Sequence, residues 1–312
     1  LFLQGGYSGH LSNLGETIVM TDDEGVFNAD FSYPGDASDA QLYLVISELM
    51  YHPEPDGNSE FIELLNTSET TTLDLTGIRF TSGVEFDFTG SAVTSLLPGE
   101  RVLVVRNISA FEAVHGVGLP IAGLFQNDTK LSNSNDLVKL EDALNNTIAE
   151  FRYRDDQGWP MAADQGYSLV LVDQDDLEEP TSWRSSAFLG GAPGLGDSRP
   201  LPSNLPEGLL DYVLGNDLGL PVIQPSISQE SHVIDGVATM LPTLTFTRSL
   251  AADGAALGVE LSSDLVTWGE DSRVTLESEM PLGDGRSLVT MVVMPPVDLG
   301  ASLFYRITAT VK

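Results

Sequence analysis

Cysteine is absent from all 312 residues, which removes disulfides, thiolate metal sites and a cysteine nucleophile together. The absence does not place the chain inside a cell, because β-sandwich modules of sufficient size are stable on their apolar cores alone. Positive charge is scarce as well. Against 14 Lys and Arg stand 46 Asp and Glu, a formal net charge of −32, and that field repels nucleic-acid phosphate and anionic lipid alike. Neither a nucleic-acid binder nor a membrane-surface protein is expected. No apolar run approaches the roughly 18 residues of a transmembrane helix, so membrane insertion is not expected either. Histidine is limited to His10, His52, His115 and His232, with no two at metal-binding spacing. A P-loop, GxGxxG and G-x-S-x-G are all missing; Gly5 to Gly9 contains GYSG without the first glycine in register. Carboxylates are so numerous that no pair of them singles itself out as a glycosidase pair, and the sequence points away from a hydrolase.

What is present is a chain that folds in water. Hydrophobic residues make up 42% with a mean hydropathy near zero, enough for two or three domains with cores of their own. The acidic excess is spread along the chain. It suits a salty exterior, where screening relieves self-repulsion, or a surface that collects divalent cations.

The central stretch is Val45 to Leu65, read on to Asn66, with two apolar segments (Leu42 to Met50, Phe61 to Leu65) around a polar turn of Pro53, Pro55, Asp56, Gly57 and Asn58. Acidic residues interrupt both segments, Glu48 in the first and Glu63 in the second, with Glu60 just before it. This predicts two strands joined by a loop. Further strands are predicted at Leu73 to Phe80, Val84 to Phe88, Arg101 to Val105 after a Pro98-Gly99 turn, and Tyr167 to Asp173. Ile108 to His115 is predicted as a short helix that Ser109 can cap. Many short strands with Pro, Gly and Asn turns indicate an all-β, immunoglobulin-like sandwich.

Sliding the chain on itself by 120 positions exposes a repeat. Leu11 to Tyr33 lies without a gap on Leu131 to Tyr153, with Asp22/Asp142, Ala29/Ala149, Phe31/Phe151 and Tyr33/Tyr153 identical and Ile18/Val138 and Met20/Leu140 conservative. Each copy reads as an antiparallel hairpin, the first turning at Asp22, Asp23, Glu24 and Gly25, acidic residues that suit a turn by bonding their own backbone. The first copy lacks what precedes the hairpin in the second, so residues 1–40 read as the closing hairpin of a truncated module, and the chain as a piece of something longer. A hairpin without sheet partners is marginally stable.

The complete module spans residues 41–200. Gly190 to Pro206 has the glycine and proline density of a linker, and residues 201–220 read as linker plus a short helix at Leu209, Leu210, Val213 and Leu214, capped by Gly215-Asn216. Residues 221–312 supply at least five strands, Leu303 to Val311 last, and form a second β-sandwich.

Two acidic clusters invite a cation. Glu54, Asp56 and Glu60, with His52 and Glu63, surround the first turn; Asp173, Asp175 and Asp176, with Glu178 and Glu179, form the densest run. Oxygen ligands on loops suit Ca²⁺, although the EF-hand pattern is missing, and a solvated loop in a very acidic protein is the simpler account of either cluster. Trp159 and Trp183 either stack on sugar rings or cover the ends of a sandwich core. The sequons at Asn66, Asn107, Asn127 and Asn145 matter only in a host that glycosylates.

VISELMYHP, EFIELLNTSETTTLDLTGIRF, LLPGERVLVVRN with Phe111, LSNSNDLVKLED, WPMAADQGYSLVLVDQD and Trp183 together resemble the lamin-tail domain of secreted bacterial multidomain proteins, and LSNLGETIVMTDDEG resembles the end of a preceding copy. LLDYVLGNDLG, SSDLVTW and FYRITATV resemble the C-terminal module of exported proteins from Planctomycetes and Verrucomicrobia-like bacteria, with Leu218 where proline is favoured. The resemblance implies an immunoglobulin-like sandwich, followed here by a short helix and a second sandwich, in a non-catalytic secreted or cell-surface region for adhesion, scaffolding or targeting. Partners are then other domains of the same long polypeptide, surface proteins or polysaccharide. The alternative is a glycan-binding accessory module of a surface hydrolase.

Overall fold

The computed structural model describes residues 15–22, 27–35, 37–234, 236–295 and 303–312. An antiparallel hairpin of β1 (Gly15–Thr21) and β2 (Phe27–Pro34) comes first. Its turn at Asp23 and Glu24, and residues 11–14 of the repeat, lie outside the described residues. Helix α1 (Asp39–Tyr43) starts at a capping box: Ser38 Oγ accepts from the Gln41 N–H and the Gln41 side chain accepts from the Ser38 N–H, satisfying two orphan donors reciprocally.

The first sandwich then follows in order: β3 (Leu44–Met50), β4 (Phe61–Asn66), β5 (Leu73–Asp74), β6 (Arg79–Ser82), β7 (Phe86–Asp87), β8 (Ser95–Leu96), β9 (Arg101–Val105), α2 (Ile108–His115), β10 (Ile121–Leu124), β11 (Asn135–Glu141), β12 (Thr147–Arg154), β13 (Leu169–Leu171) and β14 (Trp183–Ser185). A six-stranded sheet in the order β10-β9-β4-β3-β13-β14 faces a four-stranded one in the order β12-β11-β6-β7. Ile46, Leu64, Val104, Phe80, Val138 and Phe151 fill the space between them. Met50, Phe61, Leu103, Val105 and Phe111 form a separate core on the outer face, where α2 packs. The six-stranded sheet is therefore buried on both faces at β4 and β9, which is why Val102 to Val105 of β9 read as an unbroken apolar run instead of alternating, while in β4 the run is interrupted by the buried Glu63.

Three local expectations change. Leu42 and Tyr43, predicted to open the first strand, belong to α1, and β3 starts at Leu44. The stretch predicted as one strand from Leu73 to Phe80 is broken between β5 and β6 by a turn at Gly77, whose φ of +80° suits glycine. The cap of α2 is Asn107, not Ser109: Asn107 Oδ1 accepts from the Ala110 N–H at 3.0 Å, the position from which a side chain reaches the first free amides.

The C-terminal part begins with α3 (Leu209–Leu214), ended by Gly215 in the left-handed region as expected. It continues through β15 (Ser226–Ile234), β16 (Val237–Ser249), β17 (Ala255–Ser262), β18 (Gly269–Glu270), β19 (Val274–Pro281), β20 (Arg286–Val293) and β21 (Phe304–Val311). The sheets run β15-β16-β20-β19 and β18-β17-β21. Helix α3 is not a free linker element. Leu209, Tyr212, Val213 and Leu214 pack with Leu244, Phe246, Val259 and Val289 into the core of this second sandwich.

Candidate functional site

Buried carboxylates hold the junction between the sandwiches, Glu48 and Glu63 through the segment that leads to the second one. Glu48 on β3 and Glu63 on β4 are buried, with Glu60 at the foot of β4. A buried carboxylate needs partners, and each has them. Glu63 Oε1 accepts from Ser47 Oγ at 2.7 Å and from Arg101 Nε at 3.0 Å, while Oε2 accepts from the Gly194 N–H. Glu48 Oε1 accepts from Ser168 Oγ and, at 2.9 Å, from the Ala192 N–H. Glu60 accepts from Arg106 Nη1 at 2.6 Å and from the Leu131 N–H at 2.9 Å.

Burial drives the protonation of this group. Desolvation, reinforced by the nearby Glu63 charge, pushes the Glu48 carboxyl up to about 8, against the pull of Ser168 and Ala192, so Glu48 is largely protonated at neutral pH. Burial also raises Glu60 and Glu63 above the usual carboxylate range, opposed by their hydrogen bonds and by Arg106 and Arg101.

The segment these glutamates grip is the one whose composition predicts a linker. Residues 190–199 form a strap across β3 and β4, held by Glu48 at Ala192 and by Glu63 at Gly194. Gly191 is required twice over, by its φ of +82° and because a Cβ there would overlap Glu48 Oε1 and Ser168 Oγ. Beyond it the strap passes to the second sandwich: the Arg199 N–H donates to Ala251 O at 2.8 Å, and the Tyr212 hydroxyl donates to Arg199 O at 2.7 Å.

Arg184 on β14 closes the junction. Its Nε and Nη2 fork onto the two oxygens of Asp253, between β16 and β17, at 2.6 and 2.7 Å, and its Nη1 donates to Asp197 of the strap at 3.1 Å. The side chain is 6% exposed. The two carboxylates respond differently. Asp253 receives the bidentate fork and a bond from Ser198, and sits below its usual range although burial works against it. Asp197 is the more deeply enclosed, 3% against 21% exposed, and burial raises it despite Arg184.

A cleft of about 520 Å³ opens at this junction, lined by Asp155, Trp159, Met161, Arg184, Glu277 and Glu279 among others. Both indoles of the first sandwich are buried there: Trp159 is 4% and Trp183 3% exposed. Trp183 stacks against Phe151 at 4.7 Å and against Trp159 at 6.3 Å, and its Nε1 donates to Leu177 O. They cap the core and present no flat ring face to a sugar.

The sequence-predicted cation residues lie on two loops, apart from Glu60. Glu54 and Asp56 are exposed, and Asp56 Oδ1 accepts from the Asn58 N–H at 2.9 Å. Glu60 is buried on Arg106 instead of facing that loop. Asp173, Asp175 and Asp176 lie exposed between β13 and β14, where Asp173 accepts from the Asp175 N–H and Asp176 from the Glu178 N–H. No three His, Asp or Glu side chains converge on a cation position among the described residues.

The histidines are equally dispersed. His52 Nδ1 pairs with Asp164 at 2.7 Å, and His115 packs on Phe61 and Phe111, where burial lowers its pKa. His232 pairs through Nδ1 with Glu277 at 2.8 Å and through Nε2 with Thr243 Oγ1 at 3.2 Å. That acid, imidazole and hydroxyl line up in the order of a nucleophile triad. Thr243 is wholly buried in the middle of β16, however, and no substrate atom can reach its hydroxyl.

Comparison with known proteins agrees with this reading of the first sandwich. Residues 37–155 match the Lamin Tail Domain family, so a lamin-tail domain occupies α1 through β12, and β13 and β14 extend its six-stranded sheet beyond the matched region. No curated protein matches the chain. Among solved structures the chain is similar to the Amycolatopsis orientalis exo-chitosanase CsxA, with 12% identity and a TM-score of 0.18 over 84% of this chain and 25% of that one. The aligned part is about a quarter of that enzyme, and a score so low carries no argument.

Proposed function

We propose that this chain is a non-catalytic extracellular unit, an adhesion, scaffolding or targeting region of a larger exported bacterial protein, in which two sandwiches are locked into one stiff body. The observation that carries the reading is the Arg184 fork. One buried guanidinium bonds the first sandwich, the strap and the second sandwich at once, which is how a spacer resists bending. The lamin-tail identity of residues 37–155 supports it, and so does the use of Glu48, Glu60 and Glu63, the buried glutamates among the described residues, as structural fasteners. A panel of p-nitrophenyl glycosides, esters and phosphates tests the reading: no turnover is expected, and turnover lost in Glu277→Gln would overturn it.

Calcium belongs to this proposal as a stiffener of the exposed loop carrying Asp173, Asp175 and Asp176. Thermal unfolding in excess EDTA and then in millimolar CaCl₂, at fixed ionic strength, tests it. A ligand present at a hundred times its dissociation constant adds about 2.7 kcal/mol, a rise of roughly 5–10 °C for a protein of this size. An unchanged midpoint would leave the acidity as solvated surface.

A further inference from the structure

The hairpin β1–β2 reproduces the hairpin β11–β12 pair for pair. Glu16↔Tyr33, Thr17↔Ser32, Ile18↔Phe31, Val19↔Asp30 and Met20↔Ala29 correspond at an offset of 120 to Asp136↔Tyr153, Leu137↔Arg152, Val138↔Phe151, Lys139↔Glu150 and Leu140↔Ala149. Even the irregularity recurs in place, between Met20 and Thr21 in one and between Leu140 and Glu141 in the other. Register is set by the hydrophobic pattern and the turn, and a slip of one residue would turn every side chain over. A shared register with a shared bulge therefore means that the two hairpins present the same residues to the same face.

What differs is the cover. In the second hairpin Val138, Leu140, Phe151 and Tyr153 are all fully buried, β11 pairs with β6 through Lys139↔Ser82, Leu140↔Phe80 and Glu141↔Arg79, and Tyr153 stacks on Tyr51. In the first hairpin Ile18, Met20 and Phe31 are 36%, 45% and 63% exposed, and β1–β2 stands as a two-stranded sheet. An isolated two-stranded hairpin is marginal in water, and an exposed edge with an apolar face is a template for pairing.

We propose that the face and β1 edge of this hairpin are an interface for a second lamin-tail-type sandwich, one that presents an unpaired β6-type edge strand and an open apolar face. The chain itself shows how such an edge receives a hairpin of the same register, at β6 and β11. Another copy of the chain is not the occupant, because its β6 is already held by its own covalently tethered β11. The inference rests on the lamin-tail identity of residues 37–155 and not on the non-catalytic reading.

The test is a graft in the full chain. Residues 131–153 are replaced by the sequence of residues 11–33, which keeps Ala, Phe and Tyr at the positions of 149, 151 and 153 and puts Ile for Val138 and Met for Leu140. Leu→Met conserves volume and is well tolerated in cores, Val→Ile adds one methylene, Asn replaces the partly buried Ile148, and the ion pairs lost at Lys139 and Glu141 are partly exposed and worth little. The graft is expected to unfold in one cooperative transition within roughly 10 °C of the parent, with the β6 amides protected from exchange, while a graft of the same residues in scrambled order fails to fold. A graft as unfolded as the scrambled control would overturn the proposal. So would sedimentation of the unaltered chain as a dimer that Phe31→Asp disperses, since that would give the face to a second copy.

Discussion

Glu48 and Glu63 stand opposite each other across β3 and β4, both buried, and each accepts a backbone N–H from the same strap, Glu48 from Ala192 and Glu63 from Gly194. Two carboxylates this close and this dry cannot both carry charge cheaply. Glu48, pushed up to about 8, is the one that keeps its proton. The strap is thus held in part by a neutral acid, and stability is tied to pH through it.

In the unfolded chain Glu48 titrates at its ordinary value of 4.5, and in the folded chain at about 8. Between these values the unfolded state releases its proton while the folded state retains it. The Glu48 contribution is therefore greatest below pH 4.5, falls by up to about 1.4 kcal/mol per pH unit as pH rises to 8, and is flat above that. Glu60 and Glu63, also raised, add to the slope in the same direction. Glu48→Gln keeps an acceptor for Ser168 and Ala192 and removes the titration. Urea unfolding of the variant is expected to match the parent near pH 5, to exceed it at pH 8, and to depend less on pH between. A slope identical to the parent's would show that Glu48 is charged in the fold.

How far the sequence revealed this depends on what each residue leaves in a pattern. Arg101–Val105 and Ile108–His115 are legible to the residue, because burial on two faces and a helical period both write themselves into apolar spacing. The hairpin repeat is legible because register follows side-chain identity. β15 is not. Ser226 to Ile234 is an edge strand exposed along most of its length, so no alternation of burial marks it. The strap is illegible for another reason: its glycines and prolines signal turns, and nothing in composition says that two buried glutamates from 130 residues or more upstream hold its amides. The acidic interruptions of β3 and β4 are visible, but Glu60 reads as a loop ligand until Arg106 is found beside it.

Arg184 ties the two sandwiches together, so its removal should separate them. Arg184→Met leaves Asp197 and Asp253 without their cation, and breaking a buried pair from one side costs about 3–5 kcal/mol. Calorimetry of the parent is expected to show one transition and that of the variant two, with the second sandwich melting apart from the first. Arg184→Lys keeps the charge but cannot make the fork and should fall between them. A single unshifted transition in Arg184→Met would show that the fork does not couple the sandwiches.

Gly191→Ala tests the strap without altering any charge. A Cβ at a φ of +82° costs about 1–2 kcal/mol in backbone strain, and its overlap with Glu48 Oε1 and Ser168 Oγ adds overpacking of about 1–3 kcal/mol. Gly99, also at positive φ but with open space where a Cβ would sit, is the control: Gly99→Ala should show the strain alone. Equal losses in the two variants would mean that the strap moves away from Glu48 freely.

The indoles separate the scaffolding reading from the glycan-binding one. Trp159 and Trp183 are enclosed, and Trp268, the third, is half-buried with the Arg306 guanidinium over its ring at 4.8 Å and its own Nε1 donating to Leu265 O. Iodide is expected to quench only the fraction of the fluorescence that Trp268 supplies, and Trp268→Phe should leave an emission that iodide scarcely touches. Soluble oligosaccharides should shift neither spectrum. Trp183→Ala should cost about 3–5 kcal/mol, as loss of a large buried ring does, because it empties the space between Phe151 and Trp159. A saccharide-dependent blue shift that survives Trp268→Phe would mean that Trp159 or Trp183 becomes accessible, and the accessory-module reading would then replace the scaffold.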